Sequence, residues 1–234
     1  MAALCVGGFT QLANALMDRT DANKTKTVLL RELVHAFANN FAAIAALIQM
    51  KSESISDAKA KSVLKDAIEQ VRVMARVHKR LRTGGNDVTL DSKPFFEELC
   101  GSLETSMARG QSILIRCNTD SCPLYMEQAL TLGLIINELV TNAIKHAFPD
   151  RRSGHIHVSF KAHTDQSCLV VDDNGVGFDE QRSVGMGDDL VKGLSRQLGG
   201  TLQIQSSKAG TSFRLIISHR RTGGIDGPLN RTEQ

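Results

Sequence analysis

The first third of the sequence contains two long stretches with the hydrophobic period of an amphipathic helix. They run from about residue 24 to 50 and from about residue 57 to 82. The polar segment KSESIS between them is short, so the two helices are predicted to form an antiparallel hairpin, with Ser56 and Asp57 as suitable caps. Because a lone hairpin cannot bury two apolar stripes, the sequence predicts pairing with a second copy into a four-helix bundle, and so a homodimer.

One face of the first helix is apolar, and the opposite face carries a histidine. At about 100° per residue, His35 projects away from the apolar stripe, with Glu32 one turn before it and Asn39 one turn after. Taken alone, a histidine in this position is an ordinary surface residue. The stripe consists of Leu30, Leu33, Phe37, Phe41, Ile44 and Ile48, and the outward face includes Ala42, Ala43 and Ala46. In the second helix the predicted apolar face consists of Leu64, Ile68, Val71, Ala75 and His78.

The remainder of the chain alternates between strand-like and helix-like segments. After TGGND (83–87), which is typical of a linker, strands are predicted at VTL, SILIRC, HIHVSFKA, SCLVVDD, TLQIQSS and TSFRLIISH. Helices are predicted from Pro94, over about residues 126–147 and over about residues 189–198. The order predicts an α+β fold with helices on one face of a mixed sheet. We divide the chain into a helical dimerisation domain (1–83), an α/β sandwich domain (84–219) and a tail expected to be disordered (220–234).

Composition excludes several classes of protein. A net charge of +3, no Trp and one Tyr give neither the basic patch nor the stacking platform of a nucleic-acid binder. No apolar run reaches the length of a membrane span, and the start of the chain lacks the basic region of a signal peptide. The five cysteines form no C-x-x-C pair, which favours free thiols and a cytoplasmic location. His155 and His157 share a strand face without a third ligand in view, so no metal site is expected there.

The helix NELVTNAIKHAF carries three polar residues on one face. Glu138, Asn142 and Lys145 fall within about 60° of each other on a helical wheel. A carboxylate and an amide are suited to Mg²⁺, and an ammonium is suited to phosphate. The alternative is a surface helix with ordinary charge spacing.

Two glycine-containing segments follow. VVDDNGVGFDE places Asp173 at the end of an apolar strand, where its carboxylate can accept a hydrogen bond from an exocyclic amine such as that of adenine. Gly175 and Gly177 allow the backbone to turn and approach a ligand closely. Gly185 and Gly187 precede a predicted helix, whose N-terminus is suited to phosphate. A DNG turn and a flexible loop are the alternatives for these two segments.

The order of these segments, followed by AGTSFRL, resembles the ATP-binding module of the gyrase, Hsp90, histidine kinase and MutL superfamily, known as a Bergerat-type fold. The resemblance spans about residues 88–218 and implies ATP as ligand. It implies that Asn142 ligates Mg²⁺ and that Asp173 reads adenine, with Thr211 behind it. Gly185 and Gly187 would then lie over the phosphates.

The first helix narrows the family. LLRELVHAFANNFAAIAALIQM is similar to the phosphoacceptor box of histidine kinases whose usual pattern is HHRVKNNL, close to the HWE kinases, and ARVHKRL resembles the end of their second helix. The resemblance makes His35 the phosphoacceptor. The sequence departs from the family pattern at Val34, Ala36 and Ala38, where a histidine, an arginine and a lysine are usual. It departs again at Asp188, which follows Gly187 of the second glycine segment.

The sequence therefore predicts the core of a two-component histidine kinase, an ATP-dependent transferase and phosphoprotein in a phosphorelay. His35 would take the γ-phosphoryl group from Mg²⁺-ATP and pass it to the receiver domain of a response regulator. Glu32 would orient or deprotonate the imidazole, and Asn39 would position the phosphate. The alternative is a kinase-like docking or phosphotransfer module that does not autophosphorylate, because the cations expected at 36 and 38 are absent. An anti-sigma serine kinase and a gyrase-like ATPase are weaker alternatives.

Overall fold

The computed structural model describes residues 39–80, 82–84, 87–108, 112–178 and 186–218. Glu32, His35, Gly185 and the tail from residue 219 lie outside the described residues. In chain order the elements are α1 (39–53), α2 (Ala58–Arg80), β1 (Arg82–Gly84), β2 (Asp87–Asp91), α3 (Ser92–Met107), β3 (Ile113–Thr119), β4 (Pro123–Tyr125), α4 (Met126–His146), a 3₁₀ turn (Pro149–Arg151), β5 (Gly154–Ala162), β6 (Gln166–Asp173), α5 (Met186–Gln197), β7 (Gly200–Ser207) and β8 (Gly210–Ser218).

The main sheet has five strands in the order β3-β5-β6-β8-β7. β3 and β5 are parallel and the other pairs are antiparallel, so the sheet is mixed as predicted. Strands β1, β2 and β4 form a separate, small antiparallel sheet in the order β1-β2-β4. The α+β class predicted from the order of segments is confirmed.

Helices cover one face of the main sheet because successive side chains of each strand point to opposite faces, which places the apolar residues together on one face. In β5, Ile156, Val158 and Phe160 point inward and are fully buried, while His155 is exposed on the other face. Phe96 of α3 packs edge-on against Phe160 with ring centroids 5.3 Å apart. α4 contributes the largest share of the core; its buried residues are Ala129, Thr131, Leu132, Gly133, Ile135, Ile136, Asn137, Leu139, Val140, Thr141, Ala143 and Ile144.

The described part of α1 packs on α2. Phe41, Ala45 and Ile48 form its inner face, and the ring of Phe41 lies 5.3 Å from that of His78. Asn39 is exposed, as are Ala42, Ala43 and Ala46, so the outward face predicted for this helix is confirmed over these residues. Ile44, also predicted in the apolar stripe, does not pack on α2 within the chain, because the helix turns its side chain outward and leaves it 45% exposed. Asp57 caps α2, accepting from the N–H of Lys59 at 2.7 Å and of Ala60 at 3.0 Å.

The second hairpin helix docks on the sandwich. Val73 and Val77 of α2 are fully buried in the core that α3 and α4 form, and each contributes about 1.5–3 kcal/mol of hydrophobic stabilisation. Gly133 makes the close approach of α2 and α4 possible, since a Cβ there would lie 2.9 Å from Val73 Cγ1 and 2.9 Å from Phe95 Cζ. The sequence pattern did not predict this second buried face. It indicated one apolar face, whereas α2 packs against α1 on one side and against the sandwich on the other.

Polar contacts fix α2 against α3. Arg80 forms an ion pair with Glu98 at 2.5 Å, and Arg76 donates to the hydroxyl of Ser102. Burial lowers the pKa of Arg76, against the influence of the carboxylate of Glu69, which is itself buried and paired with Arg72 at 2.5 Å. Helix α2 is therefore held to the sandwich by charge and by apolar packing together.

Two other sequence predictions need correction. TGGND is not an open linker over its full length, because Thr83 and Gly84 pair with β2 in a short antiparallel ladder. The helix assigned to begin at Pro94 begins at Ser92, after Asp91 caps it by accepting from Lys93 N–H at 3.0 Å. Strand β4 was not predicted, because three residues carry no periodicity.

Among the described helices, none is long and apolar enough to cross a membrane.

Gly133→Val is expected to lower the free energy of unfolding by about 1–3 kcal/mol, because the added methyl groups overlap with Val73 and Phe95 in a close-packed core. Gly101→Val is the matched control. That glycine also lies inside a helix, but its Cβ would meet open space, so stability should change by no more than about 0.5 kcal/mol. Urea titration followed by circular dichroism measures both. Equal stability of the two variants would contradict close packing of α2 on α4.

Candidate functional site

A half-buried carboxylate at the end of β6, that of Asp173, is the centre of the site. Asp173 accepts the N–H of Gly175 at 2.8 Å, and it also accepts from the backbone N–H and the hydroxyl of Thr211, its cross-strand partner in β8. Thr211 is itself buried. Burial raises the pKa of Asp173, and these hydrogen bonds oppose that rise. The structure thus maintains an acceptor in a poorly solvated position.

The loop after Asp173 is pressed between α4 and β7. Val176 N–H donates to the carbonyl oxygen of Ala147 at 3.0 Å, and a Cβ on Gly175 would lie 2.4 Å from the same oxygen. Gly177 has φ +64°, and a Cβ there would lie 1.9 Å from the carbonyl oxygen of Ser207. Both glycines are therefore required by backbone contacts, one with each neighbouring element.

A second hydroxyl joins this group. Ser206 Oγ in β7 accepts the N–H of Phe178 at 2.8 Å and lies 3.2 Å from Thr211 Oγ1. Sequence reasoning missed Ser206, because a serine near a β-turn carries no signal of its own. Only the strand register, which places Ser206 opposite Thr211, reveals it.

The polar strip of α4 leads toward the same loop. Glu138 and Asn142 are half-buried one turn apart, and the Asn142 amide donates to Glu138 Oε1 at 3.3 Å, which leaves the amide oxygen of Asn142 outside this pair. Lys145, one turn further, forms an ion pair at 2.5 Å with Asp66 of α2. Its predicted role toward phosphate stays a prediction, and in the described conformation its ammonium group is paired with the hairpin.

The second glycine segment differs from the prediction. Helix α5 begins at Met186, so Gly187 lies in its first turn instead of preceding it. Gly185 lies outside the described residues, as do His35 and Glu32, whereas Asn39 is exposed in α1. Of the predicted site residues, the structure brings together Asp173, Gly175, Gly177 and Thr211, beside the C-terminal end of the helix that carries Glu138, Asn142 and Lys145.

The outer face of the main sheet carries a different set of polar residues. His155 and His157 line a shallow depression there with Arg116, Asp172 and Asp173, and Asp173 is thus common to this depression and to the site at the end of β6. Within the described residues, no group of three or more His, Cys, Asp or Glu side chains is arranged to hold a metal ion. The described cysteines, at 100, 117, 122 and 168, are free thiols.

The arrangement around Asp173 has the chemistry of a purine and phosphate site. An ionised carboxylate only accepts hydrogen bonds, so Asp173 selects a donor such as an exocyclic amine. Glu138 and Asn142 offer oxygen atoms from one helix face, the ligand type that Mg²⁺ takes. The donor set therefore fits Mg²⁺ together with an adenine nucleotide.

Two family models match the chain. Residues 32–107 match the model described as histidine kinase, and residues 127–221 match the model described as histidine kinase-, DNA gyrase B- and HSP90-like ATPase. The second match contains the whole described site from Glu138 to Thr211, and it identifies this part of the chain as an ATP-binding domain.

Curated relatives and solved structures point the same way. The sensor histidine kinase PdtaS of Mycobacterium tuberculosis is 28% identical over 212 residues, which are 86% of this chain and 41% of the relative. Blue-light-activated histidine kinase 2 of Erythrobacter litoralis is 23% identical, over 80% of this chain and 56% of the relative. The solved histidine kinase domain of the Erythrobacter litoralis EL346 blue-light activated histidine kinase has a TM-score of 0.61 at 21% identity, over 82% of this chain and 93% of that domain. The chain thus spans less than two thirds of the length of these two curated relatives.

Asp173→Asn is expected to raise the thermal unfolding temperature of the nucleotide-free protein at pH 7. Because burial raises the pKa of Asp173, the ionised group costs stability above its folded-state pKa, and the cost disappears as the pH falls and the carboxylate is protonated. The gain over wild type should therefore shrink between pH 7 and about pH 4.

The control is Asp172→Asn, the neighbouring carboxylate, which pairs with His157 across the ladder whereas Asp173 pairs with the buried Ile156; it should change the unfolding temperature less. Differential scanning fluorimetry across pH measures both variants. A loss of stability in Asp173→Asn at pH 7 would contradict the view that partial burial makes the ionised carboxylate of Asp173 destabilising.

Proposed function

We propose that this chain, which belongs to the histidine kinases, binds Mg²⁺-ATP, phosphorylates its own His35 and passes the phosphoryl group to an aspartate of a response-regulator receiver domain. The observation that carries the nucleotide half of the proposal is the half-buried carboxylate of Asp173, fixed as an acceptor by Gly175 and Thr211.

Adenine binds with its amine on Asp173, with Thr211 behind the carboxylate. Gly175 and Gly177 allow the loop backbone to pack closely against its neighbours, because neither residue has a side chain that would separate the loop from them. The loop backbone can therefore lie close beside the nucleotide. Asn142, with Glu138 beside it, holds Mg²⁺, which neutralises charge on the phosphates when bound. Lys145, Gly185 and Gly187 complete the phosphate side of the site in the proposal.

The phosphoryl transfer forms a nitrogen–phosphorus bond on His35 and breaks the bond between the γ-phosphorus and the departing ADP oxygen. Glu32, which the sequence period predicts one helical turn away, orients the imidazole and takes its proton. Asn39 positions the γ-phosphate, and its exposure in α1 leaves its amide available for this contact. A receiver aspartate then attacks the phosphohistidine, so the phosphoryl group moves on and the histidine is restored.

The second candidate function is a kinase-like module that binds ATP or docks partners without autophosphorylating. The observation that favours it is the pair Ala36 and Ala38, where the family usually has two cations. A cation at the transferring phosphoryl group can be worth about 10³–10⁵ in rate, so its loss can separate nucleotide binding from catalysis.

We also propose that the protein is a homodimer through its hairpin. Four apolar side chains on α1 and α2 remain exposed in a single chain: Ile44 at 45%, Leu47 at 58%, Met50 at 69% and Val63 at 51%. A second copy that covers them would remove this surface from water. The part of α2 that docks on the sandwich is not needed for the dimer, since Val73 and Val77 are already buried within the chain.

Incubation with γ-labelled ATP should label the wild type slowly and should leave His35→Ala unlabelled. The label should be lost in acid and survive base, as expected for phosphohistidine. Restoring both cations, with Ala36→Arg and Ala38→Lys together, should speed labelling by about tenfold, which corresponds to about 1.4 kcal/mol of transition-state stabilisation.

One labelling time course compares the three proteins. Label that persists in His35→Ala would show that another residue is the acceptor. Label that appears only after restoration of the cations would favour the non-catalytic module.

Leu47→Asp is expected to shift the protein from dimer to monomer in light scattering at micromolar concentration, because it places a charge in the proposed contact. Leu114→Asp is the matched control, since Leu114 is 47% exposed on β3, away from the hairpin. A wild type that is monomeric across this range, or a Leu114→Asp variant that dissociates equally, would contradict the hairpin dimer.

A further inference from the structure

Three residues on neighbouring strands form one row beneath the proposed adenine site. Asp173 of β6 pairs with Thr211 of β8, and Thr211 pairs with Ser206 of β7 in the next ladder. Cross-strand partners project to the same face of a sheet, so the three side chains lie side by side. Their contacts extend to Phe178, which belongs to the loop that follows Asp173.

The direction of each hydrogen bond in this row follows from its two ends. An ionised carboxylate only accepts, so the hydroxyl proton of Thr211 goes to Asp173. Thr211 Oγ1 can then act only as an acceptor toward Ser206, 3.2 Å away, and the hydroxyl of Ser206 must donate. Ser206 Oγ in turn accepts the N–H of Phe178 at 2.8 Å. Each hydrogen bond in the row thus has one defined donor and one defined acceptor.

We propose that Ser206 is a positioning residue for base selection: through Thr211 it fixes Asp173 as an acceptor, which suits the amine of adenine and opposes the carbonyl of guanine. The inference rests on the proposed nucleotide function and adds a specificity-determining residue to that site. Ser206 does not touch the base itself. It acts by holding the proton of Thr211 on the carboxylate and by holding Phe178 beside it.

This hydrogen-bonded row matters because the carboxylate of Asp173 is partly buried. Burial favours the protonated acid, which would present a donor to the base. Chains of hydrogen bonds polarise one another, so a donor into Thr211 strengthens the hydrogen bond that Thr211 gives to Asp173. Without Ser206, Thr211 loses that donor and the ionised form of Asp173 is less favoured.

The test measures ATP and GTP binding by calorimetry across pH, using the full chain with Mg²⁺. Ser206→Ala should weaken ATP binding by about three- to tenfold, the worth of one net hydrogen bond, and should leave weak GTP binding unchanged. The acidic limb of the ATP-binding profile should move to higher pH. Ser206→Thr keeps the hydroxyl and should keep the wild-type selectivity and pH profile.

Ser207→Ala is the matched control, because Ser207 lies on the same strand with its side chain exposed, and its hydroxyl accepts the local N–H of Ala209 at 3.2 Å. It should behave as wild type. Equal loss of ATP and GTP in Ser206→Ala, or no loss with an unchanged pH limb, would overturn this inference alone. A wild type that binds no ATP would overturn the proposed function and this inference with it.

Discussion

Burial of α4 on two sides is the constraint on which the rest of the structure depends. Ile135, Ile136 and Val140 of this helix belong to the core over the main sheet, and Gly133 receives Val73 of α2. A helix enclosed in this way retains only a narrow polar strip. That strip is Glu138, Asn142 and Lys145, and its C-terminal end meets the glycine loop through the carbonyl of Ala147. The position of the candidate site is therefore a consequence of how the helix is packed.

The site itself depends on the carboxylate of Asp173, whose desolvation costs free energy and which the fold stabilises with local hydrogen bonds. Removing part of a carboxylate from water is costly unless donors surround it, and the half-buried Asp173 has donors from Gly175 and from both the backbone and side chain of Thr211. The hydroxyl of Ser206 extends this set to a third strand. The cost that remains is typical of binding sites, where a ligand supplies the partner that the protein leaves out.

The docking of α2 on the sandwich domain joins the helical hairpin to the nucleotide module. In the described chain, α1 packs on α2, and α2 is joined to α3 by Arg76 and Arg80 and to α4 by the ion pair of Asp66 with Lys145. The helix that precedes the nucleotide module is thus part of its core. In the conformation described here, this ion pair and the burial of Val77 hold the hairpin against the module.

The sequence by itself determined the elements and the local chemistry. Periodicity gave α2, α4 and the strands of the main sheet to within a few residues, because one face of each element is apolar. The motif around Asp173 was recognisable because glycines and a carboxylate occur in a fixed local order. Tertiary structure decided what depends on contacts distant in sequence: the second buried face of α2, the outward turn of Ile44, the pairing of Lys145 with Asp66 and the place of Ser206 beside Thr211. These features arise from which elements pack together and in which register, and no local pattern of residue types encodes either one.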